Sequence, residues 1–317
     1  MPLRIAFFGT PDFAVPTLEA LLASEHELVG VVTQPDRPRG RGQQVSDSPV
    51  KARAARAGVP ILQPLKLKDT AFLEAFRAWN VDLGIVAAYG RLLPQVLLDL
   101  PPAGLLNVHA SLLPAWRGAS PIQRAVLNGD AVSGVTIMRV VLALDAGAML
   151  ARVEVPIAPD DTAGTLEQRL SIAGASLLRD VVDRLGRGEA VVEEPQDDSR
   201  ATLAPKIDKQ EGAIDWTRPA AALDCHVRGM QPWPGAFTLV DGQRLGVREA
   251  AVADRSATGV EPGALVALDG DAIVLACGAD TALRVLRVQP EGKRVMTARD
   301  WRLGRRTETP LRAGPTP

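Results

Sequence analysis

The sequence predicts an α/β fold in which a doubly wound, mostly parallel sheet is followed by a small β-barrel. Two observations indicate this. In the first part of the 317-residue chain, short apolar runs typical of buried strands alternate with segments that have helical spacing. After residue 237, short strand-like runs are separated by Asp-Gly and Glu-Gly turns. The first pattern is typical of a parallel sheet covered by helices, and the second is typical of a small barrel.

Composition excludes several classes of protein. Hydrophobic residues make up 46% of the chain, and a formal charge of −1 provides no overall nucleic-acid signature, so any basic patch must be local. The two cysteines, Cys225 and Cys277, are too few for a disulfide framework or a zinc site. The N-terminal apolar run is too short for a signal peptide, and no run reaches the roughly 18 residues of a membrane span. We therefore expect a soluble, cytoplasmic protein.

The strands of the parallel sheet are predicted from apolar runs that end in turns. Five such runs lie at residues 3–8, 28–33, 59–62, 83–88 and 105–109. Pro60 confines the third to a strand start or a sheet edge, because proline cannot donate a hydrogen bond to a neighbouring strand. Later strands at residues 134–141 and 149–156 are expected at the edge of the sheet. A long helix at residues 163–185 closes this region.

Helix starts are predicted from capping residues. Ser48 and Ser120 each precede a proline, and Asp69 precedes an amphipathic segment, so all three are expected N-caps. Thr10 or Asp12 is expected to cap the first helix, and Pro16 is tolerated if it lies in the first turn of that helix. A strand followed by a glycine turn and a helix is typical of dinucleotide binding. However, Gly9 stands alone without a G-x-G-x-x-G motif, so that signal is weak.

The stretch around residue 107 carries most of the candidate chemistry. Asn107 and His109 are two residues apart on a predicted strand, so their side chains point to the same side. A lone strand histidine is more often a satisfied structural residue. Here, however, the chain has only three histidines, and Asp145 lies in a turn after another strand-like run. Such an Asn, His and Asp at adjacent strand ends could stabilise an oxyanion and move a proton.

The motifs in this region resemble those of the folate-dependent formyltransferases. The matching segments are Asn-Val-His-Ala-Ser-Leu-Leu-Pro at 107–114, Trp-Arg-Gly-Ala-Ser-Pro-Ile-Gln-Arg at 116–124, Gly-Val-Thr-Ile-Met at 134–138 and Leu-Asp-Ala-Gly at 144–147. The resemblance implies a formyltransferase Rossmann-like domain and an OB-like barrel. It also implies that Asn107, His109 and Asp145 are catalytic.

The same resemblance implies a folate-binding segment directly after the catalytic strand. Its residues are Ser111, Leu112, Leu113 and Pro114. Tyr89, at the end of the preceding predicted strand, is a further candidate for the folate pocket, although it could simply pack in the core.

Within this superfamily, the whole chain is similar to the members that act on tRNA. This implies 10-formyltetrahydrofolate as the formyl donor and the α-amino group of initiator methionyl-tRNA as the acceptor. Transfer of a formyl group to an amine needs neither a metal nor a covalent nucleophile, and we expect neither. We expect a catalytic domain at residues 1–186, an acidic linker at 187–205 and a tRNA-binding domain at 206–317. We also expect a monomer.

Residues 34–44 are rich in arginine, proline and glycine and lack a large apolar residue, so we expect a loop there. By composition alone a solvated loop is favoured, although guanidinium groups also match phosphate geometry. The resemblance implies contact of this loop with the tRNA acceptor stem, through Arg37, Arg39 and Arg41. Arg41 matches the characteristic arginine of the tRNA enzymes. Lys206 and Lys209 are further candidates for phosphate contact, with solvated linker lysines as the alternative favoured by sequence alone.

Departures from the tRNA enzymes at four positions leave alternatives open. Ala143, Ala146 and Ala148 stand where those enzymes commonly have glycine, threonine and aspartate, and Ala115 replaces a basic residue. Relatives that formylate amino sugar nucleotides can also carry Asp-Ala-Gly-Ala, so such an enzyme is the first alternative. An RNA-binding protein without catalytic activity is an alternative of a different class, which the intact Asn-His-Asp set disfavours.

Overall fold

The computed structural model describes residues 1–39, 44–305 and 310–314, which form two compact units. The first unit comprises Met1–Pro121, Val132–Pro156 and Glu167–Pro205, and the second comprises Ile122–Ala131, Ile157–Leu166 and Lys206–Pro317. Residues 122–131 and 157–166 therefore group with the C-terminal part of the chain. Among the described residues, no helix is long and apolar enough to cross a membrane.

Among the described residues, the first unit is built on a seven-stranded mixed sheet, with two shorter strand pairs beside it. The strands of this unit are β1 (Arg4–Gly9), β2 (Glu27–Val32), β3 (Arg37–Arg39), β4 (Gln44–Ser46), β5 (Ile61–Leu62), β6 (Leu83–Ala87), β7 (Leu105–His109), β8 (Arg117–Gly118), β9 (Val132–Arg139), β10 (Met149–Pro156) and β11 (Leu203–Ala204). The sheet order is β10-β9-β7-β6-β1-β2-β5. Strands β5, β2, β1, β6 and β7 are parallel, whereas β9 and β10 are antiparallel. The predicted doubly wound, mostly parallel sheet is confirmed, with β5 at one edge and β10 at the other.

Among the described residues, six helices begin before residue 187. They are α1 (Val15–Leu22), α2 (Pro49–Arg56), α3 (Thr70–Ala78), α4 (Gln95–Leu98), α5 (Pro121–Asn128) and α6 (Ala163–Gly186). Ser48 caps α2 by accepting a hydrogen bond from the Lys51 amide, and Asp69 caps α3 by accepting one from the Ala71 amide, as predicted.

The predicted cap of the first helix was wrong. A 3-10 turn at Asp12–Ala14 precedes α1, and neither element has a side-chain cap. The Thr10 hydroxyl instead accepts a hydrogen bond from the Gln34 amide at 3.3 Å, so it joins the turns that follow two parallel strands. Pro16 lies in the first turn of α1, where its missing N–H has no partner to lose.

Burial on both faces explains the continuous apolar runs of the parallel strands. All five residues of β6 are buried, as are five of the six residues of β1. On one side of the sheet, Phe8, Phe76 and Tyr89 belong to one apolar cluster. Gly30 on β2 is required by close packing, because a Cβ there would lie 2.4 Å from the Trp79 ring.

Two regions expected to be irregular contain short strands. Strands β3 and β4 pair antiparallel in a sheet of their own, so the predicted loop at residues 34–44 was wrong for the residues in these strands. Arg41 lies outside the described residues. In the expected linker, β11 pairs parallel with β8. Both pairings join segments with no periodic pattern in the sequence, which is why local signals do not predict them.

The second unit contains an open antiparallel sheet, in keeping with the predicted small OB-like domain. Its strands are β12 (Phe237–Val240), β13 (Gln243–Val252), β14 (Leu265–Asp269), β15 (Ala272–Ala276), β16 (Ala282–Pro290) and β17 (Met296–Thr297), and its later helices are α7 (Ala220–Gly229) and α8 (Ala298–Leu303). The order is β12-β13-β16-β15-β14, with β17 beside β16. Asp241 and Gly242 both have positive φ, of 51° and 73°, as the predicted Asp-Gly hairpin turn requires.

Candidate active site

Strand β7 brings two polar side chains to its carboxyl end. It lies between β6 and β9, where Asn107 is opposite Met138 and His109 is opposite Thr136. The two side chains share one face of the sheet because successive residues of a strand alternate in direction. Asn107 is half-buried, whereas His109 is only 5% exposed. This is the edge of an open α/β sheet at which ligands bind.

The turn between β9 and β10 brings Asp145 to the same place. One carboxylate oxygen of Asp145, Oδ2, lies 3.6 Å from Nδ1 of His109. The same oxygen accepts a hydrogen bond from the backbone amide of Gly118 at 2.9 Å. Asp145 has φ of 50°, in the left-handed region that costs a non-glycine residue about 1 kcal/mol or more. The structure thus places a carboxylate beside the predicted histidine by means of an unfavourable backbone conformation.

The second ring nitrogen of His109 is held by the loop after β7. Nε2 lies 3.0 Å from the carbonyl oxygen of Trp116. Because a carbonyl oxygen only accepts, Nε2 carries the hydrogen in this contact. Nδ1 is therefore the nitrogen that faces Asp145. Trp116 itself has φ of 61°, so a second strained residue positions the imidazole.

Asn107 differs from His109 in its surroundings. Within the described part of the chain, its side-chain amide has no hydrogen-bond partner, and the residue is half-buried rather than enclosed. Its N–H groups therefore remain available to a ligand at the carboxyl end of β7. An amide presented in this way can donate to an oxygen that becomes negative during a reaction.

The segment Ser111 to Pro114 folds back on the strand ends. The Ser111 hydroxyl donates to the Ala115 carbonyl at 2.6 Å. The buried hydroxyl of Thr136 donates to the Ser111 carbonyl at 2.7 Å and accepts from the Leu113 amide at 3.1 Å. These bonds occupy the serine hydroxyl with loop structure. The segment would therefore present its shape and its remaining backbone groups to a ligand.

The leucines of this segment pack against the sheet. Leu113 is buried against Met138 and Met149. Leu112 lies over β9, where a Cβ at Gly134 would be 2.4 Å from a Leu112 methyl carbon. Pro114 is half-buried, and its carbonyl accepts a hydrogen bond from the Thr202 amide at 3.3 Å. Leu112 and Leu113 thus pack against residues of β9 and β10, and Pro114 is hydrogen-bonded to Thr202.

Tyr89 is placed differently from the other candidates. Its ring is 1% exposed and meets Phe8 edge-on, with ring centroids 5.6 Å apart. Burial raises the pKa of the Tyr89 phenol, and the positive charge of Arg91 partly offsets that rise. The packing role that the sequence left open is the role that this geometry favours. A contact between Tyr89 and folate stays a prediction.

The candidate residues for phosphate contact are distant in sequence from Asn107, His109 and Asp145. Lys206 and Lys209 belong to the second unit and are exposed, and within the described residues neither forms an ion pair. Lys209 is the first residue of a 3-10 turn, Lys209–Gly212, that Asp208 caps. Arg37 and Arg39 lie on β3. Within the described part of the chain, no group of three or more His, Cys, Asp or Glu residues could hold a metal ion.

Sequence reasoning missed several groups that touch the candidate site. Gly118 supplies a backbone N–H to Asp145, and Thr136 organises the Ser111 segment. Gln196 donates hydrogen bonds to two carbonyls of the Asp145 turn. Gln196 lies in the expected linker, 51 residues from Asp145 in sequence. No spacing pattern connects the two, so only the folded chain reveals this contact.

Comparison with known proteins identifies the class to which this fold and site belong. Residues 3–182 match the family described as formyl transferase, and residues 206–306 match the formyl transferase C-terminal domain. The chain is 47% identical over 311 residues to the methionyl-tRNA formyltransferase of Bacillus licheniformis, covering 98% of each chain. It is 47% identical over 305 residues to the methionyl-tRNA formyltransferase of Jannaschia sp., covering 96% of this chain and 97% of the relative. The chain belongs to the methionyl-tRNA formyltransferase family.

A solved structure shares the fold at low sequence identity. It is the N-formyltransferase from Helicobacter canadensis in complex with folinic acid and dTDP-3-aminofucose. The TM-score is 0.69 at 15% identity, over 91% of this chain and 99% of that chain. The likeness shows that the two proteins have the same architecture.

Proposed function

We infer that the protein transfers a formyl group from 10-formyltetrahydrofolate to the α-amino group of methionyl initiator tRNA, which provides the formylated initiator for translation. The observation that carries this inference is the membership of nearly the whole chain in the methionyl-tRNA formyltransferase family. The grouping of Asn107, His109 and Asp145 at one strand edge supports the same chemistry.

The reaction requires charge stabilisation at one oxygen and the transfer of one proton. The amine nitrogen attacks the formyl carbon, and the carbonyl oxygen becomes negative in a tetrahedral intermediate. The bond from carbon to the folate nitrogen then breaks, that nitrogen gains a proton, and the amine nitrogen loses one. An enzyme therefore needs a donor for the oxygen and a group that moves a proton between the two nitrogens.

We propose that Asn107 donates to the developing oxyanion. Its amide is not committed to another group among the described residues, and one such donor contributes roughly 3 kcal/mol to transition-state stabilisation. His109 and Asp145 then form the proton-transfer pair. Asp145 stays beside His109 because the Gly118 amide binds its carboxylate, and the 3.6 Å separation leaves the pair open to a reacting group.

The remaining assignments concern the two substrates. We propose that Ser111, Leu112, Leu113 and Pro114 contact the folate within a catalytic domain at residues 1–186. Residues 187–205 would connect it to a tRNA-binding domain at residues 206–317. Arg37, Arg39, Arg41, Lys206 and Lys209 would meet tRNA phosphates, since guanidinium and ammonium groups bind phosphate oxygens.

The direct test is a comparison of acceptors. The purified protein would be incubated with 10-formyltetrahydrofolate and either initiator methionyl-tRNA or a nucleotide-linked amino sugar, with product identified by mass. We expect formylmethionyl-tRNA and no formylated sugar. Formylation of the sugar alone would contradict the proposed function and support the amino sugar alternative. An elongator methionyl-tRNA serves as the control for recognition beyond the methionine.

A further inference from the structure

The segment at residues 194–204, here called the strap, runs along both halves of the candidate site within the first unit. At its start, Glu194 and Met149 exchange two backbone hydrogen bonds, each 2.8 Å long. At its end, β11 pairs with β8, and the Ala204 carbonyl accepts a hydrogen bond from the Ser120 amide at 3.2 Å. The strap is therefore bonded both to the chain after Asp145 and to the loop after His109.

Gln196 lies within the strap and uses all of its hydrogen-bonding capacity. Its Nε2 donates to the carbonyl of Asp145 at 2.8 Å and to the carbonyl of Gly147 at 2.7 Å. Its Oε1 accepts from Nε and Nη2 of Arg117, at 3.0 and 2.8 Å. Because carbonyls only accept and guanidinium groups only donate, these partners determine the orientation of the amide. One side chain thus joins the Asp145 turn to the residue before Gly118.

This placement matters because the Asp145 turn has little support of its own. Leu142 and Leu144 are 61% and 53% exposed, so the turn has little apolar anchorage. Within the turn, the Ala146 amide reaches the Ala143 carbonyl only at 3.4 Å. Asp145 also holds its positive φ at a cost, and such residues persist only where the surroundings over-determine them. The two bonds from Gln196 supply that constraint.

Thr202 holds the second residue with positive φ, Trp116, by hydrogen bonds. Its hydroxyl accepts from the Trp116 amide at 2.9 Å, and its carbonyl accepts from the Arg117 amide at 2.9 Å. The Trp116 carbonyl in turn accepts the hydrogen bond from Nε2 of His109. The strap therefore bonds to the chain on either side of the contact between His109 and Asp145.

We propose that Gln196 is a positioning residue for formyl transfer. By holding the carbonyls of Asp145 and Gly147 against Arg117, it keeps the Asp145 carboxylate between the Gly118 amide and the His109 ring. It touches neither substrate in this assignment and acts through Asp145. The proposal rests on the proposed function for its kinetic test, whereas its structural test does not depend on which amine is formylated.

The kinetic test replaces the amide with side chains of similar size. Gln196→Met removes the donors and the acceptor, and we expect kcat to fall roughly ten- to a hundredfold with KM for both substrates within about threefold. Gln196→Glu keeps the shape but turns an oxygen toward two carbonyls, so kcat should fall at least as far. Gln196→Asn shortens the side chain by one methylene, so its kcat should lie between those of the wild type and Gln196→Met. Gln168→Met is the matched control, because Gln168 is an exposed glutamine on α6.

The structural test follows hydrogen exchange of the Gly118 amide, which is bonded to Asp145 in the wild type. Gln196→Met should accelerate exchange at Gly118 by about tenfold or more relative to Gln168→Met, at a midpoint of thermal unfolding within a few degrees. If Gln196→Met does not fold, Gln196→Asn is measured in its place. Unchanged exchange with unchanged kcat would overturn the proposal, as would a loss of kcat that only parallels a loss of folded protein.

The two arms separate the possible failures. If the wild type does not formylate methionyl-tRNA, the proposed function fails, while faster Gly118 exchange in the variant still supports the positioning role. If the wild type is active and Gln196→Met matches Gln168→Met in kcat and in exchange, the positioning role fails and the proposed function stands.

Discussion

The candidate site contains side chains that are held by the protein and one that is not. Both ring nitrogens of His109 are directed at protein groups, and the Asp145 carboxylate is bound by a backbone amide. The Asn107 amide, in contrast, has no hydrogen-bond partner among the described residues. This difference fits the proposed roles, in which His109 and Asp145 transfer a proton and Asn107 donates a hydrogen bond to the substrate oxygen.

Asn107→Ala and His109→Ala should each lower kcat by roughly a hundredfold or more, because each removes a group that acts mainly on the transition state. Folate affinity should stay within a few-fold. Steady-state kinetics and folate titration would check both. Asn128→Ala, at an exposed asparagine of α5, should behave as the wild type. Near-normal turnover of either site variant would exclude that residue as an oxyanion or proton-transfer group.

Asp145→Asn should abolish most of the activity without unfolding the protein. An asparagine oxygen can still accept from the Gly118 amide, so the turn should persist, but the negative charge and the proton acceptor are lost. Circular dichroism would report folding, and turnover between about pH 6 and 9 would report chemistry. Asp160→Asn removes a charge at an exposed position and is the control. A fully active Asp145→Asn enzyme with the wild-type pH profile would remove this carboxylate from the mechanism.

At the scale of elements, the described part of the first unit has two short strand pairs outside its main sheet. The pair β8-β11 is bonded to the site loop, whereas β3 and β4 form a separate antiparallel pair after β2. Strand β3 carries Arg37 and Arg39. Because this pair lies outside the seven-stranded sheet, we expect that replacing its arginines leaves the strands that carry the candidate site unchanged.

Replacing Arg37, Arg39 and Arg41 together with Ala should raise KM for methionyl-tRNA and flatten its dependence on salt. Each neutralised phosphate releases condensed counterions, so the loss of all these contacts should reduce the slope of log affinity against log salt by about two to three. Folate KM should not change. Binding and kinetics at several salt concentrations would measure this.

The control for that experiment removes the same charge elsewhere. Arg56, Arg77 and Arg187 are exposed residues of the first unit, and their triple alanine variant should keep the wild-type slope. Equal slopes in both triple variants and the wild type would show that Arg37, Arg39 and Arg41 do not meet phosphates, and would favour the amino sugar alternative.

At the scale of the whole molecule, stability comes from separate apolar cores, and a buried histidine lies in the second unit. His226 on α7 is 6% exposed, and its Nε2 donates a long hydrogen bond of 3.4 Å to the Gly212 carbonyl. Burial lowers the pKa of His226, and Arg218 adds to that effect, while the Gly212 carbonyl and Glu211 oppose it. The folded protein therefore favours neutral His226.

Stability should consequently fall as the pH is lowered below the ordinary histidine value of 6.5. In that range the unfolded chain binds a proton at this histidine and the folded chain does not, so the free energy of unfolding decreases as the pH is lowered. The decrease begins near pH 6.5 and ends below the lowered pKa of the folded protein. Thermal unfolding of the full chain between about pH 8 and 5 would show the decline. His226→Gln cannot titrate and should have a flatter profile. Parallel profiles for the two proteins would contradict the assignment to His226.

Local patterns along the chain determine much of the fold. The apolar runs predict the parallel strands to within one or two residues, because strands buried on both faces are continuous apolar runs bounded by turns. Capping patterns identify Ser48 and Asp69, and Pro60 indicates the edge position of β5. Asn107 and His109 share a face because of the two-residue period of a strand.

The sequence by itself therefore determines the main strands of the parallel sheet, the family resemblance and the residues at the end of β7. Only the tertiary structure decides what surrounds those residues. The contacts of Gln196 with Asp145 and Arg117 span 51 and 79 residues, and Thr202 lies 86 residues from Trp116. Neither sequence periodicity nor residue propensity predicts hydrogen bonds over such separations, because these bonds form only after distant segments are brought together. Residues 194–204, within the segment expected to be an acidic linker, are bonded to the loops of the candidate site in this way.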